Sequence, residues 1–262
     1  MEKHRIHFWD RCFFRRDISF PENSMSSSIR RLSIAVVIAA NEPFLFRDDK
    51  NREESFQGII LGPTVNDASI RAIDSHITTF DAFITTPTYR DLLHALDGRS
   101  SRPLTVAELR STQQICRENF NKTLNQAEIS RLFDSVMYTL CDKNSARALD
   151  PRISKVCALV EKHPANEITI KSLADHVHLS DSRLRALFKQ EMQCTLSLYI
   201  RNVSAWKTVP MLARGMNFTE AAQEAGFHDL SHYHRAVSEI TGGPPSNIKD
   251  KKFSVSFGFD SN

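Results

Sequence analysis

The chain of 262 residues contains only five cysteines, and no two of them form a Cys-x-x-Cys pair. This scattered, odd-numbered set excludes a disulfide framework and a zinc ribbon, and it favours a reducing, cytoplasmic environment. Long apolar runs are also lacking, because the longest, residues 34–40, is too short to span a bilayer. A buried β-strand explains that run better than a signal peptide does. We therefore predict no membrane partner.

The sequence also lacks the short motifs that mark common active sites. It contains neither a Gly-x-Ser-x-Gly nucleophile motif nor a glycine-rich phosphate loop. His228 and His232, near His234, have the i, i+4 spacing that a zinc site can use. No further clustered ligand accompanies them, and Asp229 is better placed to cap a helix. We predict no catalytic residue, no metal and no cofactor.

Excess charge is scarce as well, at 34 Lys and Arg against 31 Asp and Glu. The resulting net charge of +3 argues mildly against a nucleic-acid binder. The distribution of charge changes that interpretation, because residues 1–150 carry 20 basic and 20 acidic side chains, whereas residues 151–262 carry 14 and 11. The whole positive excess lies in the C-terminal part, together with six of the ten histidines.

Hydrophobic periodicity divides the chain into a β-rich part and an α-helical part, which predicts an α+β protein. Short apolar runs at residues 32–39, 55–61 and 77–84 are separated by turn residues and predict a small β domain. Residues with helical spacing follow at 89–96, 106–120 and 126–140.

An apolar stripe runs along the last of these helices. Its members are Ile129, Leu132, Phe133, Val136, Met137 and Leu140. A stripe of this kind usually packs into a core, and a surface for a second copy of the chain is the alternative. This helix and the one at residues 89–96 are the candidate sites of a homodimer.

The C-terminal part contains a repeat of two short helices joined by a tight turn. The apolar face of the first helix is Ile170, Leu173, Ala174 and Val177 in one copy and Phe218, Ala221, Ala222 and Ala225 in the other. Ser180 and Asp229 are placed to cap the second helix of each copy. Each copy is a helix-turn-helix motif, whose second helix enters the DNA major groove. A connecting helix at residues 196–212 would hold the two motifs for successive major grooves.

Residues 168–249 resemble the DNA-binding domain of the AraC/XylS family of bacterial transcription regulators. The resemblance rests on Leu173-Ala174, Ser180 with Leu184, Leu187-Phe188-Lys189, Tyr199-Ile200-Arg201, the run from Ala222 to Ala236, and Gly242 with Pro245. It implies a C-terminal all-α domain of two helix-turn-helix motifs joined by a linker helix. The N-terminal β part resembles the small cupin-like domain that some members carry.

Several positions depart from the family pattern. Cys194 replaces a glycine after the first recognition helix, and Ala186 stands where the family often has a DNA-reading arginine. Ser204 replaces a basic residue of the connecting helix. Pro210 lies inside that helix, where we expect it to kink or shorten the helix and to alter the spacing of the two motifs.

The two recognition helices carry the candidate DNA-binding residues. If the first runs from residue 181 to 191, Arg185 is placed to read a guanine edge and Lys189 to contact a phosphate. The full set predicted to bind DNA is Ser180, Ser182, Arg183, Arg185, Lys189, Leu230, Ser231, His232, His234 and Arg235. An ordinary solvated face is the alternative for the arginines.

The sequence thus predicts a cytoplasmic, sequence-specific DNA-binding transcription regulator, and the resemblance favours an activator. We expect a cupin-like sensor or regulatory domain at residues 1–100, a helical linker and dimerisation region at 101–150, the DNA-binding domain at 151–250 and a tail at 251–262. The implied partners are double-stranded DNA, RNA polymerase, a small-molecule effector and a second copy of the chain.

Two alternatives stay open. The first is a cupin-like metal enzyme with a helical accessory domain, although residues 30–100 hold only His76 and His94 where cupin metal sites use several histidines and a glutamate. The second is a protein-binding adaptor with degenerate helix-turn-helix motifs, which Ala186, Ser204 and Pro210 suggest.

Overall fold

A computed structural model gives the structure of this chain. It describes residues 4–9, 12–20, 32–48, 50–63, 65, 68–141, 148–241 and 253–258. The chain divides into two compact units: unit 1 combines Met1–Ala146 with Ser246–Asn262, and unit 2 is Arg147–Pro245. Gly242 and Pro245, which contribute to the family resemblance, lie outside the described residues.

Unit 1 is a mixed β and α structure. Its strands are β1 (His4–Trp9), β2 (Cys12–Phe20), β3 (Ser33–Ala39), β4 (Phe44–Arg47), β5 (Glu53–Phe56), β6 (Gly58–Leu61), β7 (Ser69–Phe83), β8 (Ser101–Pro103) and β9 (Phe253–Gly258). Its helices are α1 (Pro87–Leu96), α2 (Val106–Asn119) and α3 (Gln126–Leu140). The strand order is β8-β6-β3-β7-β2-β1-β9, β4 pairs with β5 and β7, and the sheet nearly closes into a barrel. The predicted α+β class is confirmed.

The 15-residue strand β7 joins the parts of this sheet, because it pairs with β2, β3 and β4. The apolar cluster inside the sheet is Ala35, Val37, Ala39, Phe44, Phe46, Ile59, Leu61, Ala68, Ile70, Ala72 and Ile77. The sequence predicted a strand only from residue 77, so this prediction was too short. Arg71, Ile73 and Asp74 are exposed, and a half-exposed strand gives a weaker apolar signal than a buried one.

One edge of the sheet is built from distant parts of the chain. β1 pairs antiparallel with β2, and β9 lies parallel to β1 from His4↔Phe253 to Trp9↔Gly258. Residues 251–262, expected to form a tail, therefore contain a strand of unit 1. Parallel pairing with a strand so far along the chain leaves no local pattern in the sequence.

Helices α2 and α3 pack against the sheet. Both begin with a capping box, formed by Thr105 with Glu108 and by Asn125 with Glu128. All six members of the α3 stripe are buried, and Phe133 contacts Phe80 of β7 with ring centroids 6.2 Å apart. The interpretation of the stripe as core packing is confirmed.

Histidine 7 links β1 to the start of α3. Its side chain is buried, its Nε2 hydrogen-bonds Oε1 of Gln126, and burial lowers its pKa below the ordinary 6.5. The folded state therefore favours the neutral ring, so His7 contributes stability above pH 6.5 that is lost as the pH falls towards the folded pKa. We expect the urea midpoint of unit 1 to fall between about pH 7 and pH 5.

The matched variant for this prediction is His7→Gln, which keeps a hydrogen-bonding side chain but does not titrate. Its urea midpoint should depend less on pH over the same interval than that of the parent chain. An unchanged slope in H7Q would show that other groups cause the pH dependence.

Unit 2 is helical. Its elements are α4 (Pro151–Lys162), a 3₁₀ turn (Ala165–Glu167), α5 (Ile170–His176), α6 (Asp181–Met192), α7 (Leu196–Ala213), α8 (Phe218–Glu224) and α9 (Leu230–Thr241). The linker helix α7 continues through Pro210 to Ala213, so the expectation that proline would shorten it is wrong. The proline lies in the last turn, where few residues follow it. No helix in the described residues combines the length and apolar character needed to cross a membrane.

Candidate nucleic-acid interface

Unit 2 contains the two predicted helix-turn-helix motifs, α5–α6 and α8–α9. Ser180 caps α6 by accepting from the N–H of Arg183, and Asp229 accepts from the N–H of His232, 2.7 Å away, at the start of α9. This backbone hydrogen bond holds the pKa of Asp229 below its ordinary value. The turns are also equivalent, because His178 and Gly226 both have a positive φ. The repeat inferred from periodicity is confirmed.

The linker helix α7 supports both recognition helices. Tyr199 of α7 contacts Phe188 of α6, with ring centroids 5.1 Å apart. Thr208 of α7 hydrogen-bonds the hydroxyl of Tyr233 in α9 at 3.2 Å, and burial raises the pKa of that tyrosine. Ser204 is fully buried in α7, so this departure from the family pattern removes no charge from an exposed face.

The first recognition helix, α6, presents a polar face to solvent. Leu184, Leu187 and Phe188 are buried, as the periodicity predicted. The predicted DNA-binding residues of this motif are all exposed: Ser180, Ser182, Arg183, Arg185 and Lys189. Ala186 is exposed on the same helix and leaves room beside Arg185. This face carries three positive charges among short side chains, which suits a phosphate-lined groove.

The second recognition helix, α9, presents a smaller polar face. Ser231 and Arg235 are exposed, and Leu230 is 38% exposed. His232 is half-buried, with its ring against Phe227 at 5.4 Å between centroids. His234 is also half-buried, and its ring lies 6.2 Å from that of Phe218 in α8. Packing against α8 gives His234 the least open position of the five.

Sequence reasoning missed the residues that hold the two motifs together. Lys155 and Lys207 donate hydrogen bonds to main-chain carbonyls of neighbouring helices. Such contacts depend on where a carbonyl lies in space, and the carbonyl is the same in every residue type. The single signal available was the glycine at position 226, which periodicity marked only as a turn.

Comparison with protein families and curated proteins agrees with this geometry. A family model described as a helix-turn-helix domain matches residues 173–251. The chain is similar to the bifunctional transcriptional activator/DNA repair enzyme Ada of Escherichia coli (31% identity over 105 residues) and to the arabinose operon regulatory protein of the same species (29% over 104 residues). The matches cover 39% and 38% of this chain but 29% and 35% of those proteins. The chain thus spans about a third of the length of the curated relatives it matches.

Solved structures of ToxT from Vibrio cholerae have a similar fold. Apo ToxT of strain SCE256 gives a TM-score of 0.59 at 11% identity, over 90% of this chain and 96% of that one. ToxT bound to an unsaturated fatty acid gives 0.56 at 9% identity, over 95% and 96%. At these identities the likeness concerns the fold alone. With the motif repeat, the family match and this fold together, the C-terminal unit of the chain is a double helix-turn-helix domain of the AraC/XylS family of transcription regulators.

Proposed function

We propose that the chain is a sequence-specific transcription regulator that reads two successive major grooves with α6 and α9. The observation that carries this proposal is the mounting of two capped recognition helices, each with an exposed polar face, on one linker helix. Rigid mounting on α7 gives each DNA site two groove contacts instead of one. By family resemblance we propose an activating role and a contact with RNA polymerase.

Arg185 and Arg235 are proposed to read base edges, because a planar guanidinium matches the two acceptors of guanine. We expect Arg185→Ala and Arg235→Ala each to weaken binding to the specific site by about 1–3 kcal/mol. The specific site is obtained by selection from a random-sequence duplex library, and affinity is measured by gel shift across a salt series.

The control removes a positive charge outside the proposed interface. Arg110 is exposed on α2 in unit 1, and Arg110→Ala should leave specific affinity unchanged. Equal losses by R185A on the selected duplex and on random DNA would show that Arg185 contacts only phosphate. Failure of the selection to enrich any sequence would contradict the proposed function itself.

We propose further that unit 1 senses a small molecule. The support is its fold, which is shared with a protein solved with an unsaturated fatty acid bound, and an interior lined by aliphatic and aromatic side chains. An apolar carboxylate such as oleate is the probe to test first. Addition of oleate should raise the midpoint of thermal unfolding and change the affinity for the selected duplex, whereas octanoate at the same concentration, which buries less apolar area, should do less.

The alternatives predict other measurements. A cupin-like metal enzyme requires stoichiometric iron or manganese in the purified protein. A protein-binding adaptor requires DNA affinity that hardly falls as salt increases, whereas a DNA reader loses affinity steeply because counterions are released on binding. Sedimentation measurements test the proposed homodimer. The burial of the α3 stripe within unit 1 leaves other surfaces for that contact.

A further inference from the structure

Residues 150–167, which we call the brace segment, precede the stretch that the helix-turn-helix family model matches. They contact the first motif at two points. Nζ of Lys155 donates to the carbonyl of His176, the last residue of α5, at 2.9 Å. The N–H of Asp150 donates to the carboxylate of Glu191 in α6 at 3.2 Å. The brace segment therefore holds both helices of the first motif.

The other end of the brace segment contacts the second motif. The N–H of Ala165 donates to the carbonyl of Ala225 at 3.1 Å. The next residue, Gly226, lies so close that a Cβ atom there would be 2.5 Å from the nitrogen of Ala165 and 2.7 Å from that of Asn166. The turn of the second motif is thus seated directly on the main chain of residues 165–166.

Lysine 207 connects the linker helix to the same segment. Its Nζ donates to the carbonyls of Val160, at 2.7 Å, and His163, at 2.6 Å. These carbonyls end α4, where a positive charge is favourable because of the helix dipole. The opposite side of α4 is anchored by Ile153, Val156 and Val160, whose side chains are fully buried.

We propose that the brace segment sets the spacing of the two recognition helices, with Lys207 as the positioning residue that fixes its C-terminal end. The proposal rests on the proposed two-groove binding. Two modules held at a fixed spacing bind a matching DNA with the second contact intramolecular, so its effective concentration is high. Loosening the brace spreads that spacing and lowers the effective concentration, while each recognition helix keeps its own base contacts.

The test uses the full chain and a duplex that the unaltered chain selects from a random-sequence library. Three probes are compared by fluorescence anisotropy: the selected duplex, the same duplex with one half-site scrambled, and a duplex with about five base pairs, half a helical turn, inserted between the half-sites. The variant is Lys207→Met, and the control is Lys162→Met, an exposed lysine on α4.

We expect K207M to bind the two-site duplex about tenfold more weakly and the half-site duplex within about twofold of the unaltered chain. The penalty for the five-base-pair insertion should shrink in K207M and stay unchanged in K162M. A full insertion penalty retained by K207M with native helical circular dichroism would overturn the proposal. If K207M does not fold, Lys155→Met is compared in the same way, and an unchanged insertion penalty in that variant overturns it.

A selection that enriches no sequence is a different outcome. It would contradict DNA reading itself, and it is separated from the failure of the brace, in which the selected duplex exists but its spacing dependence survives the substitution.

Discussion

Replacing Gly226 with alanine is expected to lower the free energy of unfolding of unit 2 by about 3 kcal/mol or more. Two costs add. Gly226 has a φ of +81°, a conformation that costs an L-residue about 1–2 kcal/mol. In addition, the new methyl group would overlap the main-chain nitrogens of Ala165 and Asn166, which cannot rotate away as a side chain can. The turn of the second motif would have to lift from the brace segment.

Glycine 215 provides the matched control for this experiment. It lies after α7 with a φ of +91°, but nothing lies within 4 Å of the position of its Cβ. Gly215→Ala should therefore cost only the conformational part, about 1–2 kcal/mol. The two variants are compared by urea unfolding in a Trp9→Phe background, in which Trp206 of α7 is the remaining tryptophan of the chain. Equal losses would show that the seat at residues 165–166 contributes nothing.

Replacing Arg16 with methionine is expected to destabilise unit 1 by about 3 kcal/mol. The buried Nη1 of Arg16, on β2, donates to three carbonyls at the end of α2, those of Asn119 (2.8 Å), Phe120 (2.8 Å) and Lys122 (2.7 Å). A carbonyl at a helix end has no partner within its own helix, and an unpaired buried one is costly. The positive charge also complements the C-terminal end of the helix dipole.

Arg117→Met is the control for this second prediction. Arg117 is exposed and donates to one carbonyl, that of Ala40, at 2.9 Å from Nη2 and 3.1 Å from Nε. Its loss should cost about 1 kcal/mol. The reporter is Trp9 fluorescence in a Trp206→Phe background. A loss in R16M no greater than that in R117M would contradict the assigned role of Arg16 as the main cap of α2.

Helical periodicity predicted the parts of this chain that carry the proposed DNA contacts. The i, i+3, i+4, i+7 spacing of small and apolar residues in unit 2 leads directly to α5 and α8, and Ser180 and Asp229 mark the caps. These signals are local: each one concerns residues within two helical turns. The exposed faces of α6 and α9 follow from the same periodicity, because the buried residues fix the remaining ones on the solvent side.

The sheet of unit 1 was harder to predict, since its pairing is non-local. Residues 55–61 form one apolar run in the sequence, but β5 ends at Phe56 and pairs with β4, whereas β6 begins at Gly58 and pairs with β3 and β8. Gly58 lies against the side chains of Leu104 and Leu109, whose atoms a Cβ would meet at 2.7 and 2.8 Å. That close approach depends on the chain beyond residue 100 and has no signature at residue 58.

The strand β9 has a consequence for the order in which the two units form. His4 pairs with Phe253, so this pairing closes a loop of about 250 residues, at an entropic cost of about 5 kcal/mol beyond a constant term. Unit 2 is continuous and helical, and helical units with local contacts form quickly. A ribosome making this chain has therefore completed the DNA-binding unit before it releases the strand that finishes the sheet edge of unit 1. The edge of β1 is exposed to other strands until then.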